Sequence, residues 1–199
     1  MAGSSTDSSQ PAFYFDLALP DCYLVAERIL HLLPVACEWR PVLASGLPGG
    51  PGGFGAWRCA REREIELAHL EREAARHGLQ PIRWPQELPL DSGFAMRVAT
   101  YAASIGRGVA FAQAAFRQAY AAGRDLSVPD NVLIAASACE MHPAAVLKAA
   151  GLRSTCDALA RTTAEAAQRG VDSLPAIWTD GALFSGADGV DAAASALVA

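Results

Sequence analysis

The chain of 199 residues is 52% hydrophobic and 19% charged, which is enough apolar side chain to bury the core of one domain or of one domain with an insertion. Its 16 Lys and Arg against 21 Asp and Glu give a formal net charge of −5. No stretch clusters basic residues without interleaved acids, so we expect neither nucleic acid nor a membrane as a partner.

The amino-terminal segment and the cysteines indicate a reduced, cytoplasmic protein. Residues 1–11 are small and polar, lack the apolar run of a signal peptide or membrane span, and predict a disordered leader. The five cysteines are widely spaced and never form a Cys-x-x-Cys pair: Cys22, Cys37, Cys59, Cys139 and Cys156. This spacing argues against a disulfide framework and against a metal site.

The first elements predict a β-α-β unit. Residues 12–18 form a short apolar and aromatic run typical of a buried strand, and residues 21–33 are helix-forming, with Asp21 at the expected N-cap. Residues 35–41 alternate enough to be a second strand, parallel to the first across a right-handed crossover. The glycine- and proline-rich residues 48–55 then predict an irregular loop.

Residues 57–169 predict a block of helices. Alanine-rich segments within it each end at a glycine, which can take the left-handed backbone conformation that closes a last helical turn: Gly78, Gly106, Gly123, Gly151 and Gly170. Pro143 and Gly151 frame one short helix, and Ser127 before Pro129 offers another helix start.

The carboxyl-terminal part predicts two strands and a helix. Residues 174–179 and 182–185 flank Asp180-Gly181, which is a two-residue hairpin signal. Residues 188–198 predict a closing helix. The element order is therefore β-α-β, a helical block, and then β-β-α.

This order indicates an α/β, thioredoxin-like fold with a large all-helical insertion. The insertion interrupts the usual crossover between the second and third strands. It divides the chain into a thioredoxin-like domain, formed by residues 12–56 and 170–199, and a helical insertion domain, formed by residues 57–169.

Five stretches, taken in order, carry a resemblance to a known family: FYFDLALPDCYLVAERI (13–29), EWRP (38–41), SGFAMR (92–97), AYAAGRDLSVP (119–129) and RGVDSLPAIWTDGALFSGAD (169–188). They resemble the corresponding segments of 2-hydroxychromene-2-carboxylate isomerases and kappa-class glutathione transferases, within the DsbA-like thioredoxin superfamily. The resemblance implies glutathione as the cofactor, a small aromatic substrate, a homodimer, and isomerisation through transient addition of the glutathione thiolate.

The same resemblance locates the reactive turn at residues 19–22, at the start of the first helix. In the isomerases a serine there supports the thiolate of bound glutathione, and in the redox members a cysteine takes its place. Leu19 stands at this position, and leucine can neither donate a hydrogen bond nor attack. Cys22 matches the second cysteine of the redox motif and is the candidate catalytic residue if its thiol is reactive. The alternative is a buried structural thiol.

The resemblance further implies a set of glutathione-binding residues: Leu19, Asp91, Ser92, Leu174, Pro175 and Asp188. Pro175 opens a strand, where a proline breaks no ladder hydrogen bond, and the family implies a cis bond before it and backbone contacts between glutathione and Leu174. Asp188 would bind the γ-glutamyl amine, or else cap a helix. Leu19 and Pro175 are then expected to meet across one cleft.

Three functions are compatible with these residues. The first is a glutathione-dependent isomerase or transferase with Leu19 at the position of the usual serine or cysteine. The second is a non-catalytic thioredoxin-fold protein that serves as a binding or dimerisation module. The third is a thiol-disulfide oxidoreductase that uses Cys22 alone, through mixed disulfides.

Overall fold

A computed structural model describes residues 10–198 of the chain. Residues 1–9, which make up most of the predicted leader, lie outside the described residues, as does Ala199. Pro11, at the end of that leader, is buried, and its carbonyl oxygen accepts a hydrogen bond from the N–H of Glu38 (2.7 Å).

A four-stranded mixed sheet forms the centre of the fold, in the spatial order β2-β1-β3-β4. Its strands are β1 (Ala12–Phe15), β2 (Glu38–Pro41), β3 (Ala176–Thr179) and β4 (Ala182–Ser185). β2 is parallel to β1, as predicted, whereas β3 is antiparallel to β1 and β4 is antiparallel to β3. At the predicted hairpin, Asp180 (φ 47°) and Gly181 (φ 82°) both have the positive φ of a type I′ turn.

Helices occupy every longer connection of the sheet. Between β1 and β2 lie α1 (Pro20–Ala26) and α2 (Ile29–Leu32). Between β2 and β3 lie α3 (Ala60–Arg76), α4 (Gly93–Ser104), α5 (Gly108–Phe116), α6 (Pro129–Ala138), α7 (Pro143–Ala150) and α8 (Arg153–Gln168), and α9 (Gly189–Val198) follows β4. A 3₁₀ turn (Ala44–Gly46) follows β2, and a π-helical turn (Arg117–Ala121) extends α5. No helix within residues 10–198 is long and apolar enough to cross a membrane.

The first helix starts earlier than predicted. Its N-cap is Leu19, not Asp21, and Pro20 takes the first helical position. Proline is favoured there because the N–H that it lacks would have no partner inside the helix. Asp21 lies in the first turn, where its charge still complements the helix dipole.

The continuous helix predicted over residues 21–33 is broken into α1 and α2. Arg28 lies in the break and is 8% exposed. Its guanidinium donates to the carbonyl oxygen of Ala187 (3.0 Å) and pairs with Asp191 of α9. Contacts with residues far away in the sequence thus outweigh the helix propensity of this segment.

Two further local predictions are wrong in part. Gly151 ends α7 with a right-handed backbone (φ −85°), because the chain enters α8 at once, whereas φ lies between 67° and 87° at the other four predicted helix-ending glycines, Gly78, Gly106, Gly123 and Gly170. Ser127 is not the N-cap of α6; Val128 takes that position. The Ser127 hydroxyl instead accepts a hydrogen bond from the N–H of Asp91 (2.9 Å).

An aromatic core joins the sheet to the helical block. Phe13 and Phe15 share one face of β1, with ring centroids 5.5 Å apart, and Trp39 of β2 meets Phe13 edge-on at 5.1 Å. Phe15 also contacts Phe116 of α5 at 5.8 Å. The buried side chains form one continuous cluster, which fixes the end of β1 and the turn that leads into α1. The division into two domains stays a prediction.

Candidate functional site

Asp16, which the sequence does not single out, organises the turn between β1 and α1. Its side chain is 2% exposed; Oδ1 accepts from the N–H of Ala18 (3.0 Å) and Oδ2 from the N–H of Ala44 (2.9 Å). Burial raises the pKa of Asp16, whereas these two hydrogen bonds and one with Ser92 lower it. Asp16 thus ties the turn to the segment after β2 and to the start of α4.

The helical block holds the same turn and the end of α1. The N–H of Leu17 points to the sulfur of Met96 in α4 (3.3 Å), and its carbonyl oxygen accepts from the hydroxyl of Tyr120 (3.3 Å). Tyr120 belongs to the π-helical turn, a conformation often found at functional sites. Arg117 of the same turn pairs with Glu27, directly after α1 (2.8 Å). Both ends of α1 are therefore fixed from outside the sheet.

The N-terminus of α1 is apolar at its cap and acidic in its first turn. Leu19 is buried and makes no side-chain hydrogen bond to the helix. Burial raises the pKa of Asp21, Glu66 raises it further, and His69 lowers it. The surroundings of this turn therefore disfavour an additional negative charge, such as a thiolate.

Cys22, the candidate catalytic residue, lies in the core. Its side chain is fully buried, and burial raises the pKa of the thiol well above its ordinary value, with further contributions from the charges of Asp16 and Asp21. A thiol needs access and a thiolate fraction to react, and this one has little of either. The geometry favours the alternative of a buried structural thiol.

A cavity of about 340 Å³, which we call the apolar cavity, opens beside the N-cap of α1. Three of the six predicted glutathione-binding residues line it: Leu19, Asp91 and Ser92. Asp16 lies in the same wall. The remaining walls are mainly apolar and come from the glycine-rich loop, the segment after β2 and the segment before α4, with Leu43, Phe54, Pro89 and Leu90 as the largest side chains.

A second opening of about 440 Å³, the charged cleft, is lined by Asp21, His69, Glu73, Arg76, Ala187 and Asp188. Asp188, another predicted residue, accepts a hydrogen bond from the guanidinium of Arg76 (3.0 Å). Arg76 also pairs with Glu73, and hydrogen bonds from Glu73 and Asp188 raise the pKa of Arg76. The two openings share no lining residue. Leu19 lines the apolar cavity and Asp21 lines the charged cleft, because side chains two positions apart at the start of a helix point in different directions.

Glu73 and Asp188 of the cleft and the neighbouring His77 could together ligate a metal ion, since their ligand atoms lie within 4.8 Å of one another. The guanidinium of Arg76 pairs with Glu73 and lies 3.0 Å from Asp188 and 3.3 Å from Nε2 of His77. A fixed positive charge therefore takes the position that a metal ion would need. Burial lowers the pKa of His77, and Arg28 and Arg76 lower it further.

Leu174 and Pro175 lie at the start of β3, joined by a cis peptide bond. Both are buried, and the carbonyl oxygen of Pro175 accepts from the N–H of Gly186 (3.0 Å). Because β3 is antiparallel to β1, Pro175 lies at the same end of the sheet as the turn before α1. Neither residue lines the apolar cavity or the charged cleft. The structure thus brings Leu19 and Pro175 to one end of the sheet, although Pro175 lines neither of these two openings.

The sheet, the helical insertion between β2 and β3, and the terminal β-β-α unit define an α/β protein with a thioredoxin-like fold, as predicted. The family model of the DSBA-like thioredoxin domain matches residues 12–198, and the chain belongs to this family. A comparison with curated proteins finds no match.

Solved structures show the same fold. A 2-hydroxychromene-2-carboxylate isomerase has a TM-score of 0.81 at 17% identity, covering 96% of this chain and 95% of that chain. The cytosolic disulfide reductase DsbM from Pseudomonas aeruginosa, with GSH, has a TM-score of 0.64 at 14% identity, covering 96% and 97%. A probable DsbA oxidoreductase from Streptomyces coelicolor has a TM-score of 0.77 at 21% identity, covering 95% and 88%. At these identities the likeness establishes the fold alone.

Proposed function

We propose that this protein is a glutathione-dependent isomerase or transferase, resembling 2-hydroxychromene-2-carboxylate isomerase, whose charged cleft binds the γ-glutamyl group of glutathione. The ion pair between Arg76 and Asp188 carries this proposal. The γ-glutamyl end is a zwitterion, so a carboxylate and a guanidinium in one cleft can take its ammonium and its carboxylate through charge-assisted hydrogen bonds. The side chain of Asp188 is 77% exposed and that of Arg76 is 54% exposed, so a ligand can reach both.

The state of Cys22 supports a thiol supplied by the ligand. Because Cys22 is buried and its pKa is raised, thiol chemistry at this turn requires a second thiol from outside the chain. The disulfide reductase DsbM, which has the same fold, has been solved with GSH. The isomerase of the same fold superposes over nearly the whole chain. The likeness to the reductase solved with GSH favours glutathione as that thiol, and the family resemblance of the sequence implies the same cofactor.

Leu19 sets the expected rate of the reaction. Loss of one hydrogen-bond donor to a stabilised anion typically lowers kcat by about 10²–10³-fold. We therefore expect slow turnover by the natural chain and an increase toward that factor in Leu19→Ser. Leu19→Ala is the matched control, since it removes the same apolar bulk without adding a hydroxyl. Glutathione-dependent absorbance changes of aromatic substrates measure the three rates.

Calorimetry with glutathione and two analogues tests the binding mode. Glutaryl-cysteinyl-glycine lacks the ammonium, and 4-aminobutyryl-cysteinyl-glycine lacks the α-carboxylate. We expect Asp188→Asn and Arg76→Gln each to weaken glutathione about tenfold, or about 1.4 kcal/mol. Asp188→Asn should not change binding of the first analogue, nor Arg76→Gln binding of the second, because the matching group is already absent.

Control variants come from an exposed ion pair on α8. Arg153 and Asp157 are 3.7 Å apart, and neither lines the apolar cavity or the charged cleft. Arg153→Gln and Asp157→Asn make the same charge changes and should leave glutathione affinity unaltered. Absence of binding heat and of a thermal shift at about 10 mM glutathione would remove the proposal.

A non-catalytic binding module is the second candidate, and the burial of Leu19 and Cys22 favours it, since the turn then offers neither a hydroxyl nor a reactive thiol. This candidate predicts no turnover in the natural chain. Gain of turnover in Leu19→Ser alone would support a module descended from an isomerase. Turnover by the natural chain would exclude it.

The single-cysteine oxidoreductase is the weakest of the three, because the raised pKa of Cys22 leaves little thiolate. Alkylation of Cys22 at neutral pH, measured by mass spectrometry on the native protein, would revive it. The expected homodimer and cytoplasmic location stay predictions. Light scattering coupled to gel filtration measures the former.

A further inference from the structure

The apolar cavity has the size and walls of a site for a small flat molecule. Its volume, about 340 Å³, lies at the lower end of the range for ligand sites, about 300–1,000 Å³. Leu19 and Leu43 give it aliphatic walls, and Phe54 adds an aromatic one. Phe54 is itself buried and held edge-on by Trp57, with ring centroids 5.4 Å apart.

The charged side chains that line this cavity are all acidic. Asp16 and Asp91 are the two, and no basic residue lies among its described lining residues. Arg97 is the nearest base along α4, but its Nε donates to the carbonyl oxygen of Ala150 (3.0 Å) and its guanidinium lies beside the ring of Phe94. A bound anion would thus meet two carboxyl groups in the cavity lining, with Arg97 behind Gly93 as the nearest positive charge of α4.

Asp16 keeps spare capacity for hydrogen bonds. Its carboxyl group accepts from the backbone N–H groups of Ala18 and Ala44 and hydrogen-bonds with Ser92, whereas a carboxylate offers about four acceptor sites. Ser92 adds a hydroxyl in the same wall. A ligand hydroxyl can therefore donate to this wall, and an apolar ligand body can fill the remainder.

We infer that the apolar cavity binds uncharged aromatic molecules that carry a hydroxyl group, and that it rejects carboxylates. As a statement about the cavity, this inference is independent of glutathione. As a statement about the substrate, it rests on the proposed function and separates this chain from the isomerase of the same fold, whose name describes a carboxylate substrate.

The physical reason is the cost of burying a ligand carboxylate close to two acidic side chains, of which Asp16 is buried and Asp91 is exposed. An ionised ligand carboxylate in the cavity would lose water and lie near Asp16 and Asp91, and no basic residue of the described lining offsets that cost. A hydroxyl at the same position loses less water and gains an acceptor. We expect a preference of at least about tenfold for the hydroxyl compound.

The test is calorimetry at pH 7 with 2-naphthol and 2-naphthoate, which share one ring system. The phenol is uncharged at this pH and the carboxylate is ionised. The natural chain should bind 2-naphthol at least about tenfold more tightly. Asp91→Asn should narrow that ratio, because it removes the exposed carboxylate while its amide oxygen can still accept from the N–H of Gly93. 2-Methoxynaphthalene, without a donor, should bind more weakly than 2-naphthol.

A variant that blocks the apolar cavity tests whether 2-naphthol binds inside it. Ala18 lines the cavity and is only partly buried, so Ala18→Trp should fill the opening and abolish 2-naphthol binding without unfolding the protein. Equal or tighter binding of 2-naphthoate would overturn the inference, as would no binding of either compound at about 1 mM. Unchanged 2-naphthol binding in a folded Ala18→Trp would overturn it too.

Glutathione calorimetry on the same preparation separates the two proposals. If glutathione binds and 2-naphthol does not, the inference about the cavity is wrong and the proposed function stands. If 2-naphthol binds with the expected preference and glutathione does not, the cavity has the inferred selectivity and the proposed function is wrong.

Discussion

The apolar cavity and the charged cleft lie beside the same helical turn and differ in almost every property. The cavity is walled by aliphatic and aromatic side chains, and its charged lining residues are Asp16 and Asp91. The cleft is lined almost entirely by ionisable side chains, with the guanidinium of Arg76 between Glu73 and Asp188.

The contrast places the first turn of α1 at the boundary of two environments, since Leu19 lines the cavity and Asp21 lines the cleft. The ends of α1 are held by Tyr120 and Arg117 of the helical block, so neither environment depends on flexible loops alone. A charged tripeptide and an uncharged aromatic molecule could then bind side by side, each against a surface of matching polarity. Variants behind α1 and on each side of it show whether both openings depend on this helix and whether their ligands bind independently.

The largest expected effect comes from removing the packing behind α1. Phe116 is fully buried and contacts Phe15, Tyr23 and Tyr120, with ring centroids 5.8 to 6.5 Å apart. Phe116→Ala should lower the free energy of unfolding by about 3–5 kcal/mol, measured in urea. Phe116→Leu, which keeps more of the volume, should cost less.

Ligand binding by Phe116→Ala then tests whether both openings depend on the position of α1. Under conditions where the variant remains folded, affinity for 2-naphthol and for glutathione should fall together, because α1 borders both openings. Loss of one affinity with the other intact would show that α1 does not support both.

A smaller effect, on ligand affinity alone, is expected from a substitution in the lining of the apolar cavity. Phe54→Ala removes an aromatic surface from the cavity and nothing from the charged cleft. We expect 2-naphthol to bind about tenfold more weakly, or about 1.4 kcal/mol, and glutathione affinity to stay the same. Arg76→Gln is the reciprocal control and should weaken glutathione only. An equal effect of either variant on both ligands would contradict independent sites.

The smallest effect concerns the pH dependence of stability at Asp21. Burial and Glu66 raise the pKa of Asp21 above its ordinary value of about 3.9. The stability contributed by the protonated group is complete below that ordinary pKa and is lost as pH rises through the folded-state pKa. Asp21→Asn does not titrate, so relative to the natural chain it should be more stable at pH 7 than at pH 3.5.

Urea unfolding of both proteins at the two pH values measures this change. Asp157→Asn on the exposed face of α8 serves as the matched substitution, and the difference between the two variants isolates Asp21. A relative stability of Asp21→Asn that falls as pH rises would mean that the helix dipole outweighs burial and Glu66 at this turn.

Local signals predicted the sheet well. The signals for the strands predicted over residues 12–18 and 35–41 and for the Asp180-Gly181 turn each lie within a few residues. β1 and β2 fall inside those two runs but are shorter, at residues 12–15 and 38–41, and the β3-β4 hairpin turns at Asp180-Gly181. The break between α1 and α2 was not predictable in this way, because Arg28 is held by Ala187, 159 residues further along the chain.

The site was predicted only in part for the same reason. Of the residues that the family resemblance singles out, Leu19, Asp91 and Ser92 line the apolar cavity and Asp188 lines the charged cleft. Their binding of glutathione stays a prediction. Arg76 becomes a candidate binding residue only through its hydrogen bond with Asp188, which is 112 residues further along the chain. The sequence of α3 alone does not indicate this contact. From the sequence, Asp16 is only part of the first predicted strand. Its role in the turn depends on hydrogen bonds from the N–H groups of Ala18 and Ala44, and Ala44 lies in a different segment of the chain.

The most direct test of the account is a titration of 2-naphthol into protein saturated with glutathione. Because the two openings share no lining residue, we expect 2-naphthol to bind one equivalent with an affinity within about twofold of that in the glutathione-free protein. Displacement of 2-naphthol by glutathione would place both ligands in one opening and contradict the account.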